Sequence, residues 1–539
     1  MNHALLLPIL IPLFAAGAIV ALPVRAKRLQ RALNAAAIIA LLPVTCMLTA
    51  HAAQGDIASY ALGAWPAPFG IVLQLDRLGA LMLLLTSVLA CCCLLGTSSA
   101  DARRGRYFRA LFQFELMGLN GAFLAGDLFN LFVFFELLLI ASYALLLHGG
   151  GARRVRNGLH YLLMNLVGSS FFLIALGVLY GIAGTLNMAD MGERLSHLDP
   201  SMLPLARFAG ATLMLVFGLK AAVFPMSFWL PQAYRSAIGP VAALFAIMTK
   251  VGIYAMLRCD ALVFGAGAGG VLEPFMRDWA WWLAIATIAF GALGALAVSS
   301  LKTTTGYLVL VSVGLLIAAI TQQTPLAWSA LLYYLISTTL CSGALFLLAD
   351  TLEPEAQTAH REAAEPASLE ALDDAAAAAI SPESDGAAVA AARATYAPWP
   401  SNVAGVLYLI AAVGAAGLPP LSGFLGKAMV LAATPMRDAV ILWPAVLLSS
   451  LLLIVALSRT GTRLLWAEPA ARAAASAPAR APRGSSAKLA ACALLLGCVA
   501  AATLGAGSVR HYLDATAAQL FDRAAYVHAI LPATPNNGS

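Results

Sequence analysis

The chain has 539 residues, of which 61% are hydrophobic and only 11% are charged, with a mean hydropathy of +0.85. About a quarter of an average soluble domain is charged, so this composition excludes a soluble globular protein. The apolar runs are continuous and long enough for helices, each spanning about 30 Å of hydrocarbon. The net charge of +6 comes from basic loops and does not indicate nucleic-acid binding. We expect the protein to be embedded in a lipid bilayer.

The apolar runs predict an all-α polytopic membrane protein with about 14 transmembrane helices. The first run has no basic stretch before it, so we interpret it as a retained span and not as a cleaved signal peptide. The predicted spans are 4–23, 30–50, 78–97, 107–126, 128–147, 159–183, 206–232, 240–263, 280–299, 304–321, 326–349, 403–433, 438–458 and 489–507.

Basic residues collect in the loops that follow odd-numbered spans, whereas the other loops are poor in them or balanced by acids. Under the positive-inside rule, the odd-numbered loops are cytoplasmic and both termini face outward. The basic residues in these loops are Arg25, Lys27, Arg28, Arg31, Arg103, Arg104, Arg106, Arg109, Arg153, Arg154, Arg156, Arg235, Lys302, Arg459, Arg463, Arg472, Arg480, Arg483 and Lys488.

The seventh span contains residues 219–234, LKAAVFPMSFWLPQAY, which combine Lys220 with Pro225 and Pro231. A lysine in hydrocarbon costs about 2.5–3.5 kcal/mol, and each proline leaves a carbonyl one turn earlier without its helical partner. Broken backbone inside a membrane persists only where it is buried in protein or lines a wet cavity. Charge and breakage together predict a path for an ion or a proton.

The twelfth span repeats this combination in GLPPLSGFLGKAMVL, where Pro419 and Pro420 precede Lys427. Two such spans, five spans apart, predict two inverted five-span repeats at 107–263 and 280–458, a pattern typical of transporters. We therefore expect an N-terminal group of three helices over 1–100 before the repeats. A basic linker, the fourteenth helix and a C-terminal tail are expected over 459–539.

Four charged residues lie deep inside predicted spans, namely Glu136, Lys220, Lys250 and Lys427. A carboxyl group is protonated when buried alone and ionised beside a lysine, which is the behaviour that proton transfer needs. These four residues are therefore the predicted proton relay.

Other ionisable residues lie at less informative positions. Glu115 and His160 are predicted to be secondary relay groups, and Lys302 is interpreted as a topology signal. Residues at span ends are interpreted as interface anchors or terminal groups, namely Asp76, Arg77, Asp127, His148 and Asp350. The sequence shows no nucleotide-binding loop, metal-ligand spacing or nucleophile–base pair, so we expect no cofactor, and its cysteines are interpreted as apolar filler.

Residues 351–400 differ in composition from the rest, with nine acidic residues against two arginines, a net charge of −7. Such a segment buries too little apolar surface to offset its ordering entropy, and is predicted to be a flexible cytoplasmic loop. We expect a similar linker at 466–487. Residues 517–531 of the tail are expected to form an amphipathic piece at the interface.

Several stretches resemble the large antiporter-like subunits shared by respiratory complex I and the multisubunit Mrp-type cation/proton antiporters, most closely the D subunits of the latter. The resemblance covers roughly residues 70–460. It is carried by LQLDRLGALMLL at 73–84, FVFFELLLIASYALL at 132–146, LKAAVFPMSFWLPQAY, TKVGIYAMLR at 249–258, LKTTTGYLVLVSVG at 301–314 and AAGLPPLSGFLGKAMVL at 415–431.

The resemblance implies a role for each matching position. Glu136 and Lys220 correspond to a pair that modulates proton transfer, Lys250 to the central lysine of the relay, and Lys427 to its terminal group. The resemblance also implies a hetero-oligomeric partner set in a bacterial inner membrane, with protons and monovalent cations (Na⁺ or K⁺) as the transported ions.

Two features depart from the complex I type of subunit. The eleventh span has no histidine, and Ser337 stands near its place; the tenth span has Ser312 instead. These absences favour the cation/proton antiporter over the alternative, a proton-pumping subunit of an NADH–quinone oxidoreductase or membrane-bound hydrogenase. A polytopic lipid transferase is a third reading, but it requires a polar cluster at a membrane face that the sequence lacks.

Overall fold

The computed structural model describes residues 2–23, 25–65, 70–98, 107–265, 270–353, 403–466 and 485–531. Two short strands, β1 (Ala58–Ala61) and β2 (Val72–Leu75), accompany the helices. The helices are α1 (Leu7–Ala21), α2 (Lys27–Ala52), α3 (Arg77–Gly96), α4 (Phe108–Leu124), α5 (Leu128–Leu146), α6 (Ala152–Ala183), α7 (Met188–Ser196), α8 (Leu203–Ala221), α9 (Trp229–Ser236), α10 (Gly239–Cys259), α11 (Glu273–Phe275), α12 (Trp281–Ala297), α13 (Leu301–Ile320), α14 (Pro325–Leu352), α15 (Val403–Ala416), α16 (Ser422–Ala433), α17 (Met436–Trp466), α18 (Ser485–Leu504), α19 (Ala506–Phe521) and α20 (Arg523–Ile530).

The predicted all-α polytopic fold is confirmed. Twelve helices in the described ranges are long and apolar enough to cross a membrane. Helix α4, with 17 residues, adds one crossing, and the consecutive short helices α15 and α16 add one broken crossing, which gives the expected fourteen. The sequence interpretation missed the antiparallel hairpin of β1 and β2, in which Ala58 faces Leu75.

The described loops that follow odd-numbered spans lie at one end of the helix bundle and the other described loops lie at the opposite end, as predicted. At one end, Lys302 and Lys488 both pair with Asp350, and Arg463 pairs with Glu353; we call this the basic end. At the opposite end, the hairpin and the C-terminal helices meet the other loops. Ser59 Oγ donates there to the Ala529 carbonyl, Tyr512 Oη to the Arg77 carbonyl, and Arg523 pairs with Glu193.

The tail helices α19 and α20 lie against this opposite end of the protein. Their buried residues include Leu513, Ala517, Leu520 and Tyr526. The apolar residues of the amphipathic segment 517–531 therefore pack against the protein itself.

Helices α10, α13 and α14 form the centre of the molecule, with 100%, 94% and 89% of their most apolar segments buried, against 28% for α18. A helix that is apolar on all sides is stable only when other helices or lipid surround it. Gly252 lets α10 approach the last turn of α8, because a Cβ atom there would lie 2.7 Å from the Phe217 carbonyl oxygen and 2.9 Å from the Ala221 nitrogen. This close contact places the helix of Lys250 beside the helix of Lys220.

The seventh span is broken between α8 and α9. Helix α8 ends at Ala221, and Ala222 takes a left-handed conformation with φ 63°. The Leu219 carbonyl accepts from the Ala222 N–H at 3.0 Å and from Trp229 Nε1 at 3.3 Å, so the end of α8 remains hydrogen-bonded.

The prediction that Pro231 also breaks this span is wrong. Pro231 is the third residue of α9, in the first turn, where backbone N–H groups have no intrahelical partner to lose. The Ser227 carbonyl, expected to be unpartnered, accepts from the Leu230 N–H at 3.2 Å.

The twelfth span is broken between α15 and α16, as predicted. Helix α15 ends at Ala416, Gly417 adopts a φ of 78°, and Pro419 and Pro420 separate it from Ser422. The two breaks have the same form. In each, a helix ends, a left-handed residue follows, and a proline-containing turn leads to the next helix.

Some sequence predictions lie outside the described residues. These concern most of the acidic segment 351–400, most of the linker 466–487, and several basic loop residues, namely Arg103, Arg104, Arg106, Arg472, Arg480 and Arg483.

Candidate functional site

Glu136 and Lys220 lie together beside the first break, connected by a serine. Lys220 Nζ is 3.8 Å from Glu136 Oε1 and donates to Ser169 Oγ at 3.1 Å. Ser169 Oγ is also hydrogen-bonded to Glu136 Oε1 and lies 3.0 Å from the Asn165 carbonyl oxygen. A hydroxyl has one proton, so Ser169 donates to Glu136 or to Asn165 while it accepts from Lys220.

The local structure explains why these charges are tolerated. Lys220 occupies the last turn of α8, where the carbonyl groups make the negative end of the helix dipole and favour a cation. Its side chain is 2% exposed, whereas the side chain of Glu136, in the middle of α5, is 28% exposed. The pair therefore joins a buried ammonium group to a carboxylate at the lateral surface.

Lys250 lies at the centre of the protein, where it is 1% exposed. Its Nζ donates to Ser312 Oγ of α13 at 2.8 Å, and Ser312 in turn donates to the Val309 carbonyl at 2.8 Å. Among the described residues, no carboxylate forms an ion pair with Lys250. Within the described ranges, the central lysine is thus hydrogen-bonded to a hydroxyl and to no carboxylate.

The second break places a pair of hydroxyl groups next to a buried lysine. Ser337 Oγ of α14 and Ser422 Oγ, at the start of α16, share a hydrogen bond of 2.8 Å. One turn further along α16, Lys427 Nζ donates to the Ala416 carbonyl at 2.7 Å and to Ser450 Oγ of α17 at 2.9 Å. Lys427 therefore caps the end of α15 from the other side of the break.

A cavity of about 250 Å³ reaches this second site from the side. It lies between α15 and α17 and is lined by Ala416, Leu418, Leu457 and Ser458. The residues that line it are mostly apolar, and Ala416 is itself buried.

Comparison with known proteins identifies the chain. Residues 125–380 match the family described as NADH:quinone oxidoreductase/Mrp antiporter, TM. The probable K(+)/H(+) antiporter D subunit of Rhizobium meliloti is 40% identical, over 100% of this chain and 99% of that protein. The Na(+)/H(+) antiporter D subunit of Bacillus subtilis is 35% identical, over 87% of this chain and 88% of that protein. The chain belongs to the family of antiporter D subunits.

Solved structures show the same fold for this D subunit. A chain of the Mrp complex from Dietzia sp. DQ12-45-1b superposes with a TM-score of 0.80 at 24% identity, over 98% of this chain and 100% of that one. A chain of respiratory complex I from Thermus thermophilus gives a TM-score of 0.68 at 23% identity, over 96% and 99%. The resemblance drawn from the sequence motifs is therefore confirmed.

Three hydroxyl residues that the sequence interpretation did not assign to the site contact its charged or polar groups, namely Ser169, Ser422 and Ser450. Ser169 lies four residues after Asn165 on α6, so both face the same side as Lys220. The signal was the small-residue stretch GSS at 168–170 inside a long span. Such residues are common at helix contacts in membranes, which hides the polar role of any one of them.

The two residues predicted to be secondary relay groups have different environments. Glu115 is fully buried on α4, and neither carboxyl oxygen has a hydrogen-bond partner within the described ranges. His160 is exposed near the start of α6, away from the inward side that carries Ser169. Only Glu115 therefore has the burial expected of a relay group.

The interpretation of the span-end acids as interface anchors is wrong for Asp76 and Asp350. Asp76 caps α3 through the Gly79 N–H and forms a buried, two-pronged ion pair with Arg258, at 2.5 and 2.8 Å. Arg258 also donates to Tyr526 of the tail at 3.2 Å. Asp350 accepts from Lys302, Lys488 and the Gly239 N–H, so it joins three helix ends. Asp127, also predicted to be an interface anchor, is buried and caps α5 through the Asn130 N–H.

Proposed function

We propose that this D subunit is the proton-translocating subunit of a hetero-oligomeric Na⁺ or K⁺/proton antiporter. The observation that supports this most is the serine-bridged pair of Glu136 and Lys220 at a helix break. The names of its relatives, which are Na(+)/H(+) and K(+)/H(+) antiporter subunits, agree with the proposal. Its fold neighbours in complex I share the architecture and do not favour the oxidoreductase alternative.

In the first step of the proposed mechanism, Glu136 takes up a proton at its partly exposed carboxylate. The ionised carboxylate stabilises the Lys220 ammonium, and its protonation removes that stabilisation, because the two atoms are only 3.8 Å apart. Ser169 provides the connection, since its hydroxyl proton can point to Glu136 or to the Asn165 carbonyl. Lys220 then transfers its proton inward.

The inward path in this proposal uses Lys250 and the second break. The polar groups along this path are Lys250 with Ser312, then Ser337 with Ser422, and finally Lys427 with Ser450. Water between these groups completes the chain. A proton that crosses inward releases about 2.3 kcal/mol per 100 mV of membrane potential, and this energy is available for cation export.

We infer that the two halves are inverted repeats, at 107–263 and 280–458. Two features support this. Each half contains a broken span with a buried lysine, and the chain runs through them in opposite directions: α8 starts at the end opposite the basic end, and α15 follows α14 from the basic end. This relation is typical of transporters with broken helices.

We place the basic end on the cytoplasmic side of a bacterial inner membrane, with both termini outside. The positive-inside rule supports this orientation, because loops with excess lysine and arginine remain in the cytoplasm. The remaining subunits of the antiporter complex are the proposed partners.

To test the function, the genes for all subunits of the antiporter complex are expressed in cells that lack their own antiporters. Membrane vesicles are then prepared from these cells. Dissipation of ΔpH is measured after addition of Na⁺, K⁺ or Li⁺. We expect Glu136→Ala and Lys220→Ala to abolish it with the complex still assembled, and Glu193→Ala, an exposed acid at the opposite end, to leave it unchanged. Full activity in either site variant would refute the proposal.

A further inference from the structure

A groove of about 390 Å³ lies on the lateral surface between α6 and α9. It is lined by Arg156, His160 and Leu163 of α6 and by Phe228 and Gln232 from the break and α9. Residues of this lining that belong to α6 follow one helix face at spacings of three and four. The opposite face of α6 carries Asn165 and Ser169, so one helix connects the groove with the Glu136–Lys220 site.

The groove has a cationic end and an apolar end. Arg156 lies at the basic end of the bundle, where its neighbour Arg154 donates to the Ser236 carbonyl at 2.9 Å. Leu163 lies seven residues further into the membrane, about 10 Å along the helix. Among the described residues, no acid lines the groove. A ligand that fits it carries negative charge at one end and hydrocarbon at the other.

The apolar end consists of large exposed side chains. Leu163 is 51% exposed and Phe228 is 56% exposed, and the Phe228 ring packs on Phe290 with a centroid distance of 5.1 Å. These side chains lie on a membrane-spanning helix and at the adjoining break, so an acyl chain is their compatible neighbour and a polar group is not. A free phosphate ion would satisfy Arg156 and leave this end uncovered.

We propose that this groove binds an anionic phospholipid, with the phosphate group at Arg156 and His160 and an acyl chain along Leu163 and Phe228. Basic pockets between helices near the cytoplasmic face are suited to such headgroups. Gln232 adds an amide donor from α9. The site is independent of the proposed transport function, since it rests only on the shape and charge of the groove.

The bound lipid extends an existing contact between the two helices. Asn157, which also lines the groove, donates through Nδ2 to Ser236 Oγ of α9 at 2.7 Å. The lipid joins the same helices nearer the break, at Phe228. It thereby restrains the half-helix that follows the Lys220 site, and lipid composition becomes a means of regulating it.

The test uses the complete complex in nanodiscs that contain phosphatidylglycerol with a photoreactive acyl chain. After illumination, labelled peptides are mapped by mass spectrometry. We expect labelling at residues 159–163 and 224–228, suppressed by added phosphatidylglycerol but not by phosphatidylcholine or inorganic phosphate. Arg156→Gln with His160→Gln should lower it about tenfold or more, since the charge-assisted contact of Arg156 and the hydrogen bond of His160 are both lost. The matched control is Arg28→Gln, an exposed arginine in the first turn of α2.

Three results would overturn the proposal. Equal labelling in the double variant would mean that the cationic end is irrelevant. Equal competition by phosphatidylcholine would indicate ordinary annular lipid. Labelling of the isolated chain but not of the complete complex would mean that a partner subunit covers the groove.

Discussion

The two broken spans present their lysines to the same kind of helix end in different electrical surroundings. Lys220 lies in the last turn of α8 and has an ion partner, Glu136, across a bridging serine. Lys427 reaches back across the break to cap α15, and its partners among the described residues are a carbonyl and a hydroxyl. Both ammonium groups gain from the negative end of a helix dipole. Among the described residues, only the first ammonium has a carboxylate partner whose protonation can change its environment, so we propose that the first site controls proton transfer and the second conducts it.

Replacing each lysine in turn should show this difference most strongly in stability. Lys220→Met leaves the Glu136 carboxylate without its counter-charge. Breaking a fully buried pair costs about 3–5 kcal/mol, and we expect a somewhat smaller loss here because Glu136 is 28% exposed. Lys427→Met leaves only a neutral carbonyl and hydroxyl unsatisfied, which costs about 1–3 kcal/mol.

The measurement is the apparent melting temperature of the purified complex. Adding Glu136→Gln should restore most of the loss in Lys220→Met and none of the loss in Lys427→Met. If Glu136→Gln rescues neither or both, the two sites do not differ in the way described.

Removing the bridging hydroxyl should have the next largest effect. Ser169→Ala keeps both charges but deletes their connection, and hydrogen bonds to charged groups are worth about 1.5–3 kcal/mol. We expect proton exchange to slow about 10- to 100-fold. Ser450→Ala is the matched change at the second site, where among the described residues the hydroxyl connects Lys427 to no carboxylate, and it should slow exchange less than about tenfold. Initial rates of ΔpH dissipation compare the two, and the reverse order would contradict the assignment of control to the first site.

The smallest effect is expected at the hydroxyl pair of the second break. Ser337→Ala removes one neutral hydrogen bond, worth about 0.5–1.5 kcal/mol, so exchange should fall by about tenfold at most. Ser170→Ala is the control, because that exposed hydroxyl only donates to the Leu166 carbonyl of its own helix. Complete loss of exchange in Ser337→Ala would make this serine an essential relay group.

Much of this architecture could be predicted from the sequence because membranes impose simple rules. Continuous apolar runs predict spans, and lysine next to proline predicted both breaks. The cost of charge in hydrocarbon directed attention to Glu136 and Lys220, and the structure places them together. Their roles in transport stay a prediction.

The sequence predictions failed where contacts between residues distant in the sequence determine the environment of a side chain. Asp76 is close in sequence to a span end, but its partner Arg258 lies 182 residues away and the tail covers both. Ser169 looks like any small residue of a membrane helix until α6 and α8 are packed together. Pro231 has a different effect in the first turn of a helix than in its interior, and its place depends on where α9 begins.

The most direct test of the central claim is the protonation state of Glu136 itself. Infrared difference spectra of the complete complex in vesicles, recorded as the pH is lowered, should contain the C=O band of a newly protonated carboxyl group. We predict that this band is absent in Glu136→Gln and shifts to higher frequency in Ser169→Ala, where the acid loses a hydrogen-bond partner. A band that remains in Glu136→Gln and is unmoved in Ser169→Ala would show that Glu136 does not take up the proton.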